Sequence, residues 1–384
     1  MQEQADLHLE IGAPCAEGRA AKTLSLMDQS ATRILRSVTA PGTRIRQRPY
    51  AASLPAIRID LTRLSSYSTS MTTISETSRS RPALPLWKAK AFAQWTLSHL
   101  PFGETLNHSL QRARGAFNDT NRLQVLVSQA GYLRALNGRF PLAGKSVVEI
   151  GPGWQGVGTL LLHLFGAGRI IAYDHQPHLR LIMMQGLAAV ASDHVDKIAA
   201  ASGLTSTSIK DKTDRIAACA SLDELFKVMH VDYRAPADAA ATGLPDHSVD
   251  LVYSYGVLEH IDAASLRAIF VESSRILSPE GRSSHNIGLH DHFQSAGCGN
   301  GVNFLRYSQG TWDFWCGNAM LYHNRLRAPD YLTMLASLGA ETIWQDRELT
   351  DANIAAVKNM PIHPDFQRYS TDDLAASHLY VDFR

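Results

Sequence analysis

The chain has 384 residues, 45% hydrophobic and 19% charged, which is ordinary globular composition and length enough for a large core. A formal charge of +1 supplies no field for a dedicated nucleic-acid binder. No uninterrupted apolar stretch approaches the ~20 residues that cross a bilayer. Gln2–Asp6 do not begin a secretory signal, and Cys15, Cys219, Cys298 and Cys316 form no CxxC pair, so free thiols and a cytoplasmic setting are expected.

Residues 1–80 differ from the rest. From Ala31 to Ser70, Arg33, Arg36, Arg44, Arg46, Arg48, Arg58 and Arg63 stand against the single acid Asp60, and serine and threonine dominate the stretch from Leu64 to Ser80. This composition predicts a disordered tail. The alternatives are a start at Met71, with the preceding segment an over-extension, and a targeting or basic arm.

Residues 81–144 read as a helical cap. Trp87, Ala91 and Trp95 with the Leu84/Leu97 pair give a loosely periodic apolar face, broken at Pro101 and Gly103. Two further helices are predicted around Leu106–Ala113 and Leu123–Ala130. Core packing is the expected use of the Trp/Lys mixture at 86–95, ahead of a membrane surface.

From Lys145 the pattern alternates. Strands are predicted at Ser146–Ile150, Arg169–Tyr173, Met229–Tyr233, Val249–Ser254, Ser283–Leu289, 341–345 and His378–Phe383. Helices are predicted after the glycine turn at Val157–Phe165, from near Pro177 to Val190, at Ala263–Leu277 and at 328–338, with a helical insertion at 192–227. Such alternation specifies an α/β, Rossmann-like, mostly parallel sheet covered on both faces, occupying residues 145–384.

The chemistry is concentrated in the strand–turn–helix unit Val147-Val148-Glu149-Ile150-Gly151-Pro152-Gly153-Trp154-Gln155-Gly156 and the helix after it. Its glycines let backbone approach a ligand, and the helix start offers free N–H groups. Asp174, at the end of the second strand, is placed to accept ribose hydroxyls, which a dinucleotide site would also require. Further along come Asp238-Ala239, the segment Gly243-Leu244-Pro245-Asp246-His247-Ser248-Val249-Asp250, the turn Tyr255-Gly256-Val257-Leu258-Glu259-His260 and Arg275-Ile276-Leu277-Ser278-Pro279-Glu280-Gly281.

This ordered set, over residues 146–288, resembles the class I S-adenosylmethionine-dependent methyltransferases of the type 11-like group. The resemblance implies a seven-stranded sheet whose last strand runs antiparallel. It implies S-adenosyl-L-methionine as cofactor, held by Glu149, Gly151, Pro152, Gly153, Gly156, Asp174, His175, Asp238, Ala239, Tyr255, Gly256 and Val257. Gly151, Gly153 and Gly156 would lie against the methionine part, with Glu149 near its positive charges. Asp174 would take the ribose and Asp238 the adenine amino group, Ala239 being small enough to admit the ring. Glu280 departs from the pattern, standing where a glycine is usual.

For catalysis, His260 is the candidate base and Glu259 caps or anchors its loop; a structural or cofactor-side role for the pair is the alternative. The loop His285–Phe293 carries His290, Asp291 and His292, read first as acceptor-binding, then as an ordinary polar loop; metal binding is the remaining possibility, and no residue is assigned to a metal. Aromatics and arginines from Asn303 to Arg327, Arg325 among them, suggest an acceptor-side lid over about 288–328 that grips an anion. This tail, with Leu100-Pro101-Phe102-Gly103 and Leu110-Gln111-Arg112, resembles a bacterial methyltransferase subgroup found with polysaccharide or small-molecule biosynthesis. The expectation is methyl transfer to a small-molecule or glycan acceptor, at a hydroxyl, with no nucleic-acid partner. An NAD(P)-dependent oxidoreductase and a catalytically silent methyltransferase-like scaffold are the rival readings. Oligomeric state is not legible.

Overall fold

A computed structural model describes residues 86–100, 102–113, 115–294, 300–318 and 320–384. The reading of residues 1–80 lies outside them, as do Leu84, Cys15 and Cys298. Cys219 and Cys316 are free and buried.

Among the described residues three helices come first: α1 (Leu86–Ser98), α2 (Gly103–Ala113) and α3 (Asp119–Arg139). The alternating part follows as β1 (Ser146–Ile150), α4 (Val157–Leu164), β2 (Arg169–Tyr173), α5 (Leu181–Asp193), α6 (Val195–Ser202), α7 (Ser206–Ala217), α8 (Leu222–Met229) and β3 (Val231–Arg234). Then come β4 (Val249–Tyr255), α9 (Ala263–Ile276), β5 (Leu277–Gly288), α10 (Gln309–Cys316), α11 (Ala328–Ser337), β6 (Thr342–Glu348), α12 (Asp351–Asn359), α13 (Thr371–Ala375) and β7 (His378–Phe383).

The seven strands lie in the order β3-β2-β1-β4-β5-β7-β6. β7 is antiparallel to both β5 and β6, while β3, β2, β1, β4 and β5 pair in parallel. The central strands are buried on both faces, as their near-continuous apolar sequences require. On one face, Leu126, Leu133 and Leu136 of α3 pack with Leu160 and Leu161 of α4 and Leu187 of α5. The same cluster takes in Ile198, Ile209, Ile216 and Leu225, so helices α6 to α8, the predicted insertion, complete that layer. On the other face, Leu266 and Phe270 of α9 meet Tyr331 and Leu335 of α11.

Some boundaries depart from expectation for local reasons. α5 starts at Leu181, not near Pro177, because the hydroxyl of Tyr233 accepts the His178 N–H at 2.9 Å and holds that stretch out of the helix. β3 begins after Met229, which is still helical; His230 at φ 56° ends α8 in the left-handed region. β5 pairs with β4 at Leu277 and again from Arg282, the Ser278–Gly281 turn looping out between.

The aromatics assigned to a lid are largely core. Phe304 and Trp312 are buried with Trp87 and Phe293 in a satellite cluster, whereas Phe314 is exposed. On α1, Trp87 and Ala91 are buried as expected, but Trp95 points outward and stacks on the exposed Phe92. Among the described residues, no helix is long and apolar enough to cross a membrane.

Candidate functional site

The chain leaves β1 toward β2 and β3, then returns to β4 on the other side of β1, so the carboxyl ends of β1 and β4 flank a topological switch point. Ile150 is in register with Ser254, which brings the loops after these strands together. Gly151, Gly153 and Gly156 all have positive φ, at 70°, 64° and 62°. A Cβ on Gly151 would come within 2.8 Å of a Val257 methyl, and one on Gly156 would overlap Met184 Sδ and lie 2.9 Å from Leu179. At these two positions the positive φ favours glycine, and neighbouring side chains would have to shift to admit a Cβ. Gly153 differs, since a Cβ there would meet nothing within 4 Å. The loop crest is open, the shape a ligand lying on backbone needs.

Glu149 sits beneath this loop and not on its surface. It is buried, and one carboxylate oxygen accepts the Thr159 hydroxyl at 2.5 Å, tying β1 to the first turn of α4. Burial pushes its pKa up to about 7, against the pull of the Thr159 bond.

Asp174 is also buried. Its Oδ2 lies 3.0 Å from His178 Nδ1 and its Oδ1 3.1 Å from His175 Nδ1. Burial would raise its pKa, but the bonds from His175 and His178 outweigh it and hold the carboxyl at about 2. The Asp174 carbonyl accepts the Ala237 N–H at 2.9 Å, which pins the Asp238-Ala239 segment beside the β2 end. Asp238 is exposed and its Oδ1 caps Ala240 N at 2.8 Å; Ala239 packs against the core. Tyr255 is half-buried, its hydroxyl 3.0 Å from Ser128 Oγ, and Gly256 N–H donates to Asn286 O.

Sequence reasoning missed what covers this loop. Helix α2 contributes Glu104, whose carboxylate lies 2.7 Å from His178 Nε2, and His108, which stacks on Trp154 with ring centroids 4.0 Å apart. Trp154 in turn lies 4.6 Å from His178. A tryptophan inside a glycine loop is a visible signal, but its partners lie dozens of residues upstream.

The second half of the site lies at the carboxyl ends of β4 and β5, where Tyr255 is in register with Asn286. Glu259 and His260 sit on a single 3-10 turn after β4. Glu259 is 2% exposed, pressed so closely on Gly288 that a Cβ there would overlap its Oε1, while Oε2 has no partner. Burial raises its pKa to about 8. His260 Nδ1 is 2.9 Å from the Tyr322 carbonyl, which can only accept, so Nδ1 carries the proton and Nε2 the lone pair. His260 reaches solvent, yet the surrounding protein lowers its pKa.

His292 brings its ring to 4.9 Å from His260, 5.0 Å from His290 and 4.6 Å from His323. Burial, reinforced by the other imidazoles, holds the His292 pKa at about 3. His323 is buried, its pKa lowered well below the usual value by the same cause. His290, Asp291, His292 and Gln294 line a cavity of about 490 Å³. Asp291 also braces its loop, accepting Phe293 N–H at 2.8 Å. Arg325 does not reach this cavity as an anion grip. It is buried, and its guanidinium donates to the carbonyls of Phe304 and Tyr307 and to Gln309 Oε1. His323 had no sequence signal, because the turn that delivers it belongs to a loop-rich span.

A family model for a methyltransferase domain matches residues 197–284. No curated protein matches the chain. Among solved structures, an S-adenosylmethionine-dependent methyltransferase from Mesorhizobium loti is 18% identical, covering 67% of this chain and 99% of that one, at a TM-score of 0.37. The geranyl diphosphate C-methyltransferase of Streptomyces coelicolor, solved with Mg2+, geranyl diphosphate and S-adenosyl-L-homocysteine, is 15% identical over 67% and 77% of the two chains, at 0.38.

Proposed function

We propose that this chain, which matches a methyltransferase-domain model over residues 197–284, is a class I S-adenosylmethionine-dependent methyltransferase that methylates a hydroxyl of a small-molecule or glycan acceptor. When bound, S-adenosylmethionine supplies a methyl group on a sulfonium and departs as S-adenosylhomocysteine. Gly151, Pro152, Gly153 and Gly156 would cradle its methionine end, the open crest at Gly153 being the supporting feature. Asp174, ionised throughout the working range, would accept from the ribose, with His175 beside it. Asp238, Ala239, Tyr255, Gly256 and Val257 would flank the rest. Glu149 acts from beneath, by fixing the loop to α4.

The hydroxyl assignment rests on His260. An alcohol is a poor nucleophile until its proton is taken, and His260 has the Nε2 lone pair to take it, with Nδ1–H anchored on a carbonyl. Its lowered pKa keeps it unprotonated at neutral pH. Glu259 fixes the turn that carries it, through its carbonyl to Asn324 N–H and its carboxylate against Gly288. His290, Asp291 and His292 line the cavity beside it, where the acceptor would sit.

The test is a screen with methyl-labelled cofactor against hydroxylated small molecules and glycans, with the product's methylated atom assigned by NMR. An O-methyl product, with turnover lost in His260→Ala and S-adenosylhomocysteine affinity kept, is expected. An N- or C-methyl product overturns the hydroxyl assignment. Thermal stabilisation by NAD(P) in preference to S-adenosylhomocysteine would overturn methyl transfer itself.

A further inference from the structure

We propose that Glu259, His260 and His292 bind one divalent transition-metal ion of the zinc class, with an open coordination position facing the acceptor cavity. One ligand atom from each residue lies within 4.8 Å of the other two. Tetrahedral bonds of ~2.0–2.2 Å set ligand atoms roughly 3.4 Å apart, so binding asks for a contraction of at most about 1.4 Å. The ligands sit on a 3-10 turn and a loop, which can move that far more easily than strands.

The independent observation is Glu259. Its carboxylate is buried, and Oε2 has no hydrogen-bond partner. A buried carboxylate oxygen without a donor needs a proton or a cation to offset its desolvation. Two neutral imidazoles beside it favour the cation. His260 already has the outer-shell contact typical of a ligating histidine: Nδ1–H on the Tyr322 carbonyl, which leaves the Nε2 lone pair as its ligand atom. His323, 4% exposed and with neither ring nitrogen partnered, packs its ring 4.6 Å from His292 and walls the cluster on that side.

The donor set names the class of ion. Two imidazoles and one carboxylate suit zinc and its first-row neighbours, whereas magnesium and calcium prefer all-oxygen sites. Among the described residues a second such grouping, Glu104 with His175 and His178, is built as an ion-pair network around Asp174. Three protein ligands leave a position for an exogenous oxygen, here on the side of the cavity lined by His290, Asp291, His292 and Gln294. With Nε2 of His260 on the ion, the ion takes over the activating role given to His260 in the metal-free site: an acceptor hydroxyl bound there would lose its proton to solvent more readily, as metal-bound water does. That last use rests on the methyl-transfer reading; the metal site does not.

The full-length protein, stripped with chelator, is titrated with Co2+ and read by its visible d–d absorption, then competed with Zn2+. One saturable equivalent is expected, displaced by Zn2+. His292→Ala and His260→Ala should each weaken it by more than the about 10–100-fold that loss of an outer-shell partner costs. Glu259→Gln keeps the shape of the buried side chain and should weaken binding equally. Thermal stabilisation by S-adenosylhomocysteine, measured on every sample, reports that the cofactor half is folded. Absence of saturable Co2+ binding by the wild type, or wild-type affinity retained in both histidine variants, overturns the proposal. Metal binding without any S-adenosylhomocysteine response would uphold the site and remove the methyl-transfer reading instead.

Discussion

His178 Nδ1 lies 3.0 Å from Asp174 Oδ2, so the carboxylate expected to hold a ribose is already oriented by an imidazole four residues on. With His175 on the other oxygen, the carboxyl is kept at about 2. A ribose would therefore meet an ionised acceptor at every physiological pH. Asp174→Ala should weaken S-adenosylhomocysteine binding at least about 100-fold, since charge-assisted hydrogen bonds are worth ~1.5–3 kcal/mol each and two are at stake. Calorimetry on the folded variant measures this; unchanged affinity removes Asp174 from the site.

Glu149 has the opposite environment, with burial raising its pKa to about 7 from an ordinary 4.5. The native state then binds this proton more tightly than the unfolded chain. Stability from this group is present below about 4.5 and is lost as pH rises through about 7. Glu149→Gln should leave cofactor-free stability nearly unchanged at pH 5. At pH 8 it should raise stability by on the order of 2 kcal/mol. Urea unfolding at the two pH values is the measurement, and an equal effect at both contradicts the assignment.

The sheet was legible because period and punctuation agree: apolar runs such as Val249–Ser254 end in turn residues, and each helix that follows carries its own stop. The antiparallel His378–Phe383 followed from the family resemblance, and the structure pairs it with β5 and β6. The glycine loop after β1 and the acid that follows β2 stand where the sequence places them, because strand ends and turns are written locally. Tertiary partners were not legible. Arg325 looked like an anion grip in a string of aromatics, yet its charge is spent on carbonyls that only the folded loop brings to it. The cover of α2 over Trp154 and the approach of His323 to His292 depend on residues far apart in sequence.

Asp382 anchors the last strand to the helical layer. It is fully buried, with Oδ2 3.0 Å from an Arg139 nitrogen and Oδ1 accepting the Ser284 hydroxyl at 2.6 Å. Removing one partner of such a pair strands the other charge. Asp382→Ala should lower unfolding free energy by about 3 kcal/mol, seen as a lower urea midpoint at an unchanged slope. A loss below ~1 kcal/mol would mean that Arg139 finds water instead.

The contact between Glu104 and His178 gives α2 a pH-dependent hold on the cofactor loop. Burial disfavours the charged form of His178, but the bond and charge of Asp174, then of Glu104, prevail and raise its pKa above 6.5. A raised imidazole contributes stability that is complete below its unfolded pKa and disappears as pH rises through the folded one. Glu104 is half-exposed, so solvent screens the pair and its share is about 0.5–1 kcal/mol. Glu104→Gln should speed amide hydrogen exchange in α2 by about 2- to 5-fold at pH 6, once corrected for intrinsic rates, and make little difference at pH 9. An effect of the same size at both pH values would show that the contact is a neutral hydrogen bond and that α2 closes over Trp154 by stacking alone.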